Sequence, residues 1–349
     1  MSAKTKHKIG VIGASGYTGA DLVRLAARHP EIEIAMLAGN THAGQPLADV
    51  FPHLGLIGAP DLIAVDDADW SELDAVFCGL PHGAAHEVIA ALPNDLRIID
   101  LSADFRLRDP QVYASWYGGA HGASELLKSA VYGLSEFYRD EIAKARLVAC
   151  PGCYPTASLL ALLPLAADDL IDVQDIVIDA KSGVSGAGRG LKQNTLFAEA
   201  GEGLSPYGVA THRHAPEIEQ ELSRVSGKEI VVNFTPHLVP MSRGELVTCY
   251  LRLGNGASAE DLRVALVARY ADSAFIRVAS QGHTPATQHV RGSNYCVIGV
   301  FADRVPGRAI VISTLDNLVK GSSGQALQNF NLMFGLPENT GLEQLPLFP

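Results

Sequence analysis

The sequence has no apolar run that approaches the ~20 residues needed to span a membrane. Its longest candidate, residues 157–167, is too short and contains Pro164. The apolar stretch after the basic N-terminus is interrupted by glycines, so no secretory leader is predicted. A formal net charge of -11 disfavours nucleic acid and anionic membranes as partners. We therefore expect a cytoplasmic protein that binds anionic small molecules through a few local Arg and Lys side chains.

Cysteine is also scarce, and the five residues are scattered, which argues against a disulfide framework. Cys150 and Cys153 form a CxxC pair. A zinc site would need a second pair at ligand spacing, whereas His212 and His214 lie only two positions apart. We predict no metal. A thioredoxin-type redox pair stays open as an alternative.

The order of patterns along the chain predicts two domains. An apolar run, a glycine loop, an amphipathic stretch and a second apolar run form a βαβ unit within the first forty residues. Similar alternation continues to about residue 150 and predicts a doubly wound α/β sheet. Later β-branched runs broken by Pro and Gly, from residue 231 to 253, predict antiparallel strands. The predicted parts are a Rossmann domain (1–152), an α+β substrate and dimerisation domain on a largely antiparallel sheet (153–314), and a C-terminal helix that returns to the Rossmann domain (315–349).

Between the first strand and the first helix lies GxxGxxG, formed by Gly13, Gly16 and Gly19. Glycines permit the tight turn and let a pyrophosphate approach the helix N-terminus. An ordinary glycine-rich turn is the alternative. The position of the motif favours a dinucleotide site that includes Ser15, Tyr17 and Thr18 as well.

No acidic residue ends the second strand, where one would bind the ribose 2′-hydroxyl of NAD and repel a 2′-phosphate. Its absence favours NADP(H). Because no Arg stands there either, the phosphate is expected to rest on Asn40, Thr41 or His42.

CPGCYPT places Cys153 just before Pro155, with Tyr154 between them, and ahead of a long apolar helix. A thiol at a helix N-terminus lies in the positive end of the dipole, which lowers its pKa. A buried structural cysteine is the alternative reading. Beside a dinucleotide fold, we interpret Cys153 as a covalent nucleophile.

A candidate base lies in THRHAPEIEQEL, where Pro216 opens a predicted helix. His212 and His214 stand at its N-terminal edge, where the dipole disfavours imidazolium, and Glu217 could orient one ring. One of the two His residues is expected to serve only as a helix cap.

A thiolate, a base and a nicotinamide cofactor together suggest reduction of an acyl group to an aldehyde through a thioester. If the acyl group is a mixed phosphoric anhydride, SADFR offers Ser102 and Arg106 for phosphate. A structural pair between Arg106 and Asp104 is the alternative.

These motifs resemble the N-acetyl-γ-glutamyl-phosphate reductase family, which is related to aspartate-semialdehyde dehydrogenase. The resemblance runs nearly end to end through GASGYTGADLVRL, LPHGAA, IDLSADFRL, PGCYPTA, SGVSGAGR, THRHAPEIEQEL, FTPHLVPMSRGE and DNLVKGSSGQALQN. It implies NADPH-dependent reduction of N-acetyl-γ-glutamyl phosphate to the semialdehyde in arginine biosynthesis, by a homodimer or homotetramer. It also implies a nucleophilic Cys153, an acid/base His212, substrate contacts from Arg213, His214 and Glu217, and cofactor contacts from Pro81, Ser182, Gly183, Asn317 and Lys320.

One departure from the family concerns Cys150, which stands where relatives usually have Asn. We hypothesise that it forms a disulfide with Cys153 on oxidation. Two alternatives to the reductase remain open at this point. One is a related enzyme that acts on aspartyl phosphate or a carrier-bound aminoadipyl phosphate, and the other is a non-catalytic nicotinamide-binding redox sensor.

Overall fold

The computed structural model describes residues 6–348, so the first five residues of the basic N-terminus and Pro349 lie outside the described part. The chain forms two compact units. One contains the chain up to Pro151 together with Ser322–Glu343, and the other contains Gly152–Gly321 together with the segment from Gln344. The division after Pro151 lies one residue before the predicted boundary, and the segment from Gln344 belongs to the second unit.

The first unit is built on a sheet of seven strands within residues 6–348, and all of them pair in parallel. Its strand order, β3-β2-β1-β4-β5-β7-β6, reverses direction at β1, as in doubly wound folds. The strands are β1 (His7–Ile12), β2 (Ile32–Ala38), β3 (Leu62–Ile63), β4 (Ala75–Cys78), β5 (Arg97–Asp100), β6 (Val131–Tyr132) and β7 (Leu147–Ala149).

Helices cover this sheet because each presents an apolar stripe to it. In α1 (Tyr17–Ala26), Leu22, Val23 and Leu25 are buried. A late helix, α11 (Gly324–Met333), also belongs to the first unit, and Ser323 before it donates a hydrogen bond to Asp21 of α1 (2.8 Å). The other helices are α2 (Leu47–Val50), α3 (Ala85–Ala91), α4 (Pro110–Tyr117), α5 (Ser124–Leu127) and α6 (Arg139–Ile142).

The second unit contains a mixed sheet, also of seven strands within the described residues, in the order β12-β13-β14-β11-β8-β10-β9. Four of its pairings are antiparallel, whereas β10 pairs with β8 and β12 with β13 in parallel. The strands are β8 (Ile171–Gly183), β9 (Ser205–Pro206), β10 (Asn233–Val239), β11 (Glu245–Leu253), β12 (Ile276–Val278), β13 (Cys296–Ala302) and β14 (Arg308–Leu315).

Antiparallel strands were predicted for residues 231–253. That prediction is wrong for the pairing of β10 with β8, because these two strands run parallel. The two strands of this segment, β10 and β11, do not pair with each other but flank β8 on opposite sides. The chain must therefore cross from one side of β8 to the other between Val239 and Glu245. Local sequence shows a Pro- and Gly-containing connection there but not which strand lies between.

Four helices belong to this unit: α7 (Cys153–Ala167), α8 (Phe197–Ala200), α9 (Ala215–Ser226) and α10 (Ala259–Arg269). In α7 almost every side chain is buried. Pro164 inside it has no N–H for the carbonyl of Leu160, and the hydroxyl of Tyr270 donates to that carbonyl instead (2.6 Å). No helix in residues 6–348, this one included, is long and apolar enough to cross a membrane.

Candidate active site

The glycine loop of the first unit has the geometry of a phosphate cradle. Gly13 adopts φ +80°, and a Cβ there would lie 2.5 Å from the carbonyl oxygen of Gly79. A Cβ on Gly19 would lie 2.4 Å from the carbonyl oxygen of Gly13, so this glycine permits the close packing of loop and helix. Gly16 is the N-cap of α1 and has no side chain to cover the helix N-terminus. The loop thus leaves the first N–H groups of α1 open to an anion.

The residues predicted to bind a 2′-phosphate lie on a 3₁₀ turn after β2. Asn40 and Thr41 are exposed. The side-chain oxygen of Asn40 accepts a hydrogen bond from the Val65 N–H (2.9 Å), which fixes the turn. Pro81, another predicted cofactor residue, is exposed after β4.

In the SADFR motif the polar side chains first hold their own loop. Asp104 is buried and accepts hydrogen bonds from the N–H groups of Gly83 and Ala85 at the start of α3. The hydroxyl of Ser102 donates to Asp100 (2.9 Å) and accepts from the Asp104 N–H (3.2 Å). Ser102 is 4 % exposed, so phosphate could reach its hydroxyl only after these bonds open.

Arg106 spans the loops that follow β5 and β7. Its Nε donates to the carbonyl of Cys150 (2.9 Å), and one terminal nitrogen donates to the carbonyl of Leu101 (3.3 Å). The guanidinium is half-buried and held at a fixed position. A fixed guanidinium suits bidentate binding of a phosphate.

In the second unit, Cys153 is the first residue of α7 and lies two residues before Pro155. All five cysteines lie in the described residues, and only Cys153 is not buried. Burial raises the pKa of Cys249 to about 12 and that of Cys78 well above its ordinary value. The position at a helix N-terminus and the partial exposure are the properties expected of a reactive thiol.

Cys150 has the opposite environment. It is 1 % exposed, the side-chain amide of Asn329 lies 3.5 Å from its sulfur, and burial raises its pKa to about 12. Disulfide formation requires an accessible thiolate. The surroundings of Cys150 therefore disfavour the hypothesis of an oxidation-sensitive bridge to Cys153.

Two residues of the THRHAPE motif hold the backbone before Cys153. A Cβ on Gly152 would lie 2.3 Å from Nε2 of His214, so the imidazole packs directly on this glycine. The carboxylate of Glu217 is 1 % exposed and accepts a hydrogen bond from the Gly152 N–H (2.9 Å). Glu217 therefore positions the start of α7, a role that the sequence did not suggest.

His212 is neutral in this structure. Burial, with a smaller effect of the Arg213 charge, lowers its pKa to about 4. Its Nδ1 accepts a hydrogen bond from the backbone N–H of His214 (3.1 Å), which places the ring proton on Nε2. His212 thus presents a donor, while Arg213 beside it is exposed.

An aromatic cluster, formed by Tyr154, Tyr207, His212, His214 and Phe234, surrounds this imidazole, with ring centroids 4.7 to 5.8 Å apart. Tyr207 donates to the Tyr154 hydroxyl (3.2 Å), which donates to the carbonyl of His237 (3.3 Å). Burial raises the pKa of both phenols, and Cys153 contributes to both shifts. The tyrosines were not among the residues predicted from the sequence, although Tyr154 follows the nucleophile directly.

Glu245 is a second functional candidate that the sequence analysis missed. It is the first residue of β11 and is 0 % exposed. Neither of its carboxyl oxygens has a hydrogen-bond partner within the described residues, and burial raises its pKa to about 8, a shift that the side chain of Cys153 opposes. The available signal was an acidic residue at the start of an otherwise apolar strand, where an unpartnered charge is costly.

Four further predicted cofactor residues belong to the second unit, and two of them, Ser182 and Gly183, end β8. Ser182 and Asn317 are buried, and Asn317 accepts a hydrogen bond from the Gly244 N–H (2.9 Å). A Cβ on Gly183 would lie 2.7 Å from the carbonyl oxygen of Met241, so only glycine fits. Lys320 is 0 % exposed and lies on a π-helical turn, with Nζ 5.8 Å from the ring centroid of Phe275.

The same π-helical turn, Val319–Ser323, approaches the nucleophile. A Cβ on Gly321 would lie 2.8 Å from Cβ of Cys153, so this glycine permits the contact.

No cluster of three or more His, Cys, Asp or Glu side chains suited to a metal occurs in residues 6–348. The second unit therefore combines a partly exposed thiol, a neutral imidazole donor and a buried acid, a set suited to covalent acyl chemistry.

Two family models match the chain, and their boundaries follow its two parts. Residues 8–145 match the NAD binding domain of semialdehyde dehydrogenase, and residues 153–317 match its dimerisation domain. Among solved structures, aspartate semialdehyde dehydrogenase II from Vibrio cholerae, complexed with ASA, has a TM-score of 0.72 at 16% identity over 95% of this chain and 99% of that chain. The enzyme from Candida albicans, solved with NADP, has a TM-score of 0.67 at 18% identity over 96% and 100%. These structures confirm the predicted α/β fold class.

Relatives of much higher identity carry a more specific name. N-acetyl-gamma-glutamyl-phosphate reductase from Rhodospirillum rubrum is 58% identical over 98% of both chains. A probable chloroplastic N-acetyl-gamma-glutamyl-phosphate reductase from Arabidopsis thaliana is 56% identical over 98% of this chain and 85% of its own. The chain therefore belongs to the semialdehyde dehydrogenase family of oxidoreductases, among the relatives named N-acetyl-γ-glutamyl-phosphate reductase.

Proposed function

We propose that this oxidoreductase reduces N-acetyl-γ-glutamyl phosphate to N-acetylglutamate 5-semialdehyde and phosphate, a step of arginine biosynthesis, with NADPH as reductant. The partly exposed thiol of Cys153 at the N-terminus of α7 is the observation that carries this proposal. The names of the relatives supply the acyl group.

Cys153 attacks the acyl carbon and forms a thioester as phosphate leaves. His212 donates its Nε2 proton in a hydrogen bond to the acyl oxygen as negative charge develops there. A neutral donor suits this task because the pKa of His212, lowered to about 4, keeps the ring uncharged at physiological pH. Hydride addition to the thioester carbon then gives a thiohemiacetal, which collapses to the aldehyde and frees the thiol.

A nicotinamide dinucleotide supplies the hydride when bound. The glycine loop of the first unit fits its pyrophosphate, because Gly13 and Gly19 hold a turn that no side chain obstructs at the start of α1. The absence of an acid after β2 supports NADP over NAD, and Asn40 and Thr41 are proposed to meet its 2′-phosphate. Ser15, Tyr17, Thr18, Pro81, Ser182, Gly183, Asn317 and Lys320 are proposed as further cofactor contacts.

Arg106 is proposed to bind the leaving phosphate, since its guanidinium is fixed by two backbone carbonyls. Arg213, exposed beside His212, is proposed to bind the acidic end of the substrate, and Ser102, His214 and Glu217 to support these groups. The match to a dimerisation domain supports a homodimer or homotetramer. A cytoplasmic location stays a prediction, since the Arabidopsis relative is named chloroplastic.

Replacement of the nucleophile tests the proposal. Cys153→Ala is expected to lower phosphate-dependent NADP reduction with N-acetylglutamate semialdehyde by roughly 10³-fold or more, because no thioester can form. NADPH binding, followed by nicotinamide fluorescence, should persist. Cys249→Ala, which removes a buried thiol from the same unit, is the matched control and should retain activity within a few-fold.

Retained turnover in Cys153→Ala would refute the mechanism. Aspartate semialdehyde, assayed beside the N-acetylglutamate compound, separates this function from that of the related dehydrogenases. A larger kcat/KM for the aspartate compound would overturn the substrate assignment while leaving the thiol chemistry intact.

A further inference from the structure

A long exposed segment lies between β8 and α9 in the second unit. We define the arm as residues 188–206, which end with β9. No residue of the arm is buried. Its large apolar side chains face solvent: Leu191 is 97 % exposed and Phe197 is 90 % exposed, and Leu196 and Leu204 are exposed as well. Single exposed apolar side chains are common on protein surfaces, but a group of them on one segment indicates an interaction surface.

Local hydrogen bonds give the arm a defined shape. The Gly201 N–H donates to the carbonyl of Phe197 (2.7 Å), and a Cβ on Gly201 would lie 2.5 Å from the same oxygen. The end of the arm pairs with β10, where Ser205 lies opposite Leu238. These bonds hold the backbone and leave the apolar side chains in solvent. The arm therefore presents them in an arrangement that is already formed, which lowers the entropic cost of binding a partner.

The charged residues of the arm are divided by sign between its two ends. Arg189 and Lys192 are the only bases and lie in the first part, whereas Glu199 and Glu202 are the only acids and lie in the second. Arg189 precedes Lys192 by three positions, and Glu202 follows Glu199 by three. All four side chains are exposed. Bases and acids are thus placed symmetrically about the middle of the stretch, where Leu196 lies.

This symmetry suits contact with a second copy of the chain. In an interface with twofold symmetry, if residue i of one copy meets residue j of the other, then j of the first also meets i of the second. An axis through the middle of the charged stretch would therefore pair the basic end of one arm with the acidic end of the other, twice. The arm has no net charge, whereas the whole chain carries -11, so contact through the arm also limits the repulsion between copies.

Residues 153–317, which match a dimerisation domain, include the whole arm. We propose that the arm is an interface between two copies of this chain, in which the apolar side chains of both arms pack together and their oppositely charged ends pair across a twofold axis. This inference rests on the homo-oligomer of the proposed function and is independent of the reductase chemistry.

The arm leads directly into the candidate active site. Tyr207 follows it, and the ring of Tyr207 packs on the imidazole of His212 with the two centroids 5.3 Å apart. The Tyr207 N–H donates to the carbonyl of Pro236 (3.0 Å), and a Cβ on Gly208 would lie 3.3 Å from Cβ of His212. Contact between two arms would therefore also support the backbone that packs on this imidazole.

Sedimentation velocity over a range of protein concentrations tests the apolar part of the contact. The unmodified protein should form an oligomer. Leu191→Asp and Phe197→Asp should each raise the dissociation constant of one association step at least about tenfold, because each variant places a charge in the apolar contact. Leu56→Asp is the matched control, since Leu56 is a 99 % exposed leucine of the first unit, and it should change the dissociation constant by no more than about twofold.

Charge reversal tests the pairing of the two ends. The double variant R189E/K192E makes the charges of the arm wholly acidic, and E199K/E202K makes them wholly basic, so each protein alone should dissociate at the arm contact. An equimolar mixture should return to the parent mass, because acidic arms then meet basic arms. The same mixture with Phe197→Asp added to both proteins should stay dissociated. Recovery in the mixture cannot come from pairing within one arm, since neither protein then carries both signs.

An unchanged mass in both Leu191→Asp and Phe197→Asp would overturn the proposal and show that the arm does not join two copies. Charge variants that dissociate alone but do not recover in the mixture would overturn the twofold pairing. Since the substituted side chains are exposed, every variant should unfold at the urea concentration of the parent. Sedimentation needs neither substrate nor cofactor, so a protein of parent mass without reductase turnover would speak against the reductase chemistry alone.

Discussion

Residues 6–348 contain two fully buried carboxyl groups with strongly raised pKa values, one in each unit. In the first unit, burial raises the pKa of Asp100 to about 7, although hydrogen bonds from Ser102 oppose the shift. In the second, burial raises the pKa of Glu245 to about 8, and the opposing contact comes from Cys153. Each acid ends or begins a strand: Asp100 closes β5 and Glu245 opens β11.

The surroundings of the two acids differ in kind. Asp100 accepts hydrogen bonds from the N–H and the hydroxyl of Ser102, both at 2.9 Å, so it builds the turn that carries Arg106. The carboxyl oxygens of Glu245 are buried and have no hydrogen-bond partner within the described residues. Similar burial and similar pKa shifts therefore accompany different surroundings, because hydrogen bonds hold the carboxyl group of Asp100 and none holds that of Glu245.

The first prediction concerns Asp100 and has the largest expected effect on stability. Asp100→Ala should lower the free energy of unfolding by about 4 kcal/mol, because the N–H and hydroxyl of Ser102 lose their acceptor in a buried turn. Urea titration at pH 6, where the parent carboxyl is protonated, measures the change.

Asp100→Asn keeps one acceptor oxygen and should lose only about 1 kcal/mol. A loss in Asp100→Asn as large as that in Asp100→Ala would show that the acceptor oxygen does not hold the turn, and the contrast between the two acids would fail.

The features that sequence predicted are those with a local physical cause. The glycine loop followed from backbone freedom, and the structure shows that Gly13 and Gly19 leave no room for a Cβ. Cys153 could be found because a proline and an apolar run mark a helix start within a few residues. The helix start and the contact of Gly19 with Gly13 depend on near neighbours in the chain, whereas the contact of Gly13 with Gly79 does not.

The features that sequence missed depend on long-range pairing. The burial of Glu245 follows from the position of β11 between β8 and β14, which no local pattern reveals. The burial that keeps His212 neutral involves ring contacts with the distant residues Tyr154 and Phe234. The hydrogen bond from the Gly152 N–H to Glu217 joins residues 65 positions apart. Composition shows that such groups are present, but only the fold shows which of them meet.

A second prediction concerns the effect of Glu245 on the pH dependence of stability. The folded pKa of Glu245, about 8, exceeds its ordinary value of 4.5, so the folded state holds the proton more tightly. This contribution is fully present below pH 4.5 and is lost as pH rises towards 8. E245Q should therefore gain about 3 kcal/mol relative to the parent between pH 5 and pH 8. Urea titrations of both proteins at the two pH values measure it, and a constant difference would show that Glu245 is not buried as a neutral acid.

The smallest predicted effect extends the comparison to an uncharged polar group of the second unit. The carbonyl of Leu160 lacks its helical donor because Pro164 has no N–H, and the Tyr270 hydroxyl replaces it at 2.6 Å. Tyr270→Phe keeps the ring and removes this donor, so the free energy of unfolding should fall by about 1 to 2 kcal/mol at every pH from 5 to 8. Pro164→Ala in the same background should restore most of the loss, since the alanine N–H can then donate to Leu160. A loss that varies with pH, or one that Pro164→Ala leaves unchanged, would show that the hydroxyl serves something other than the carbonyl that the proline leaves open.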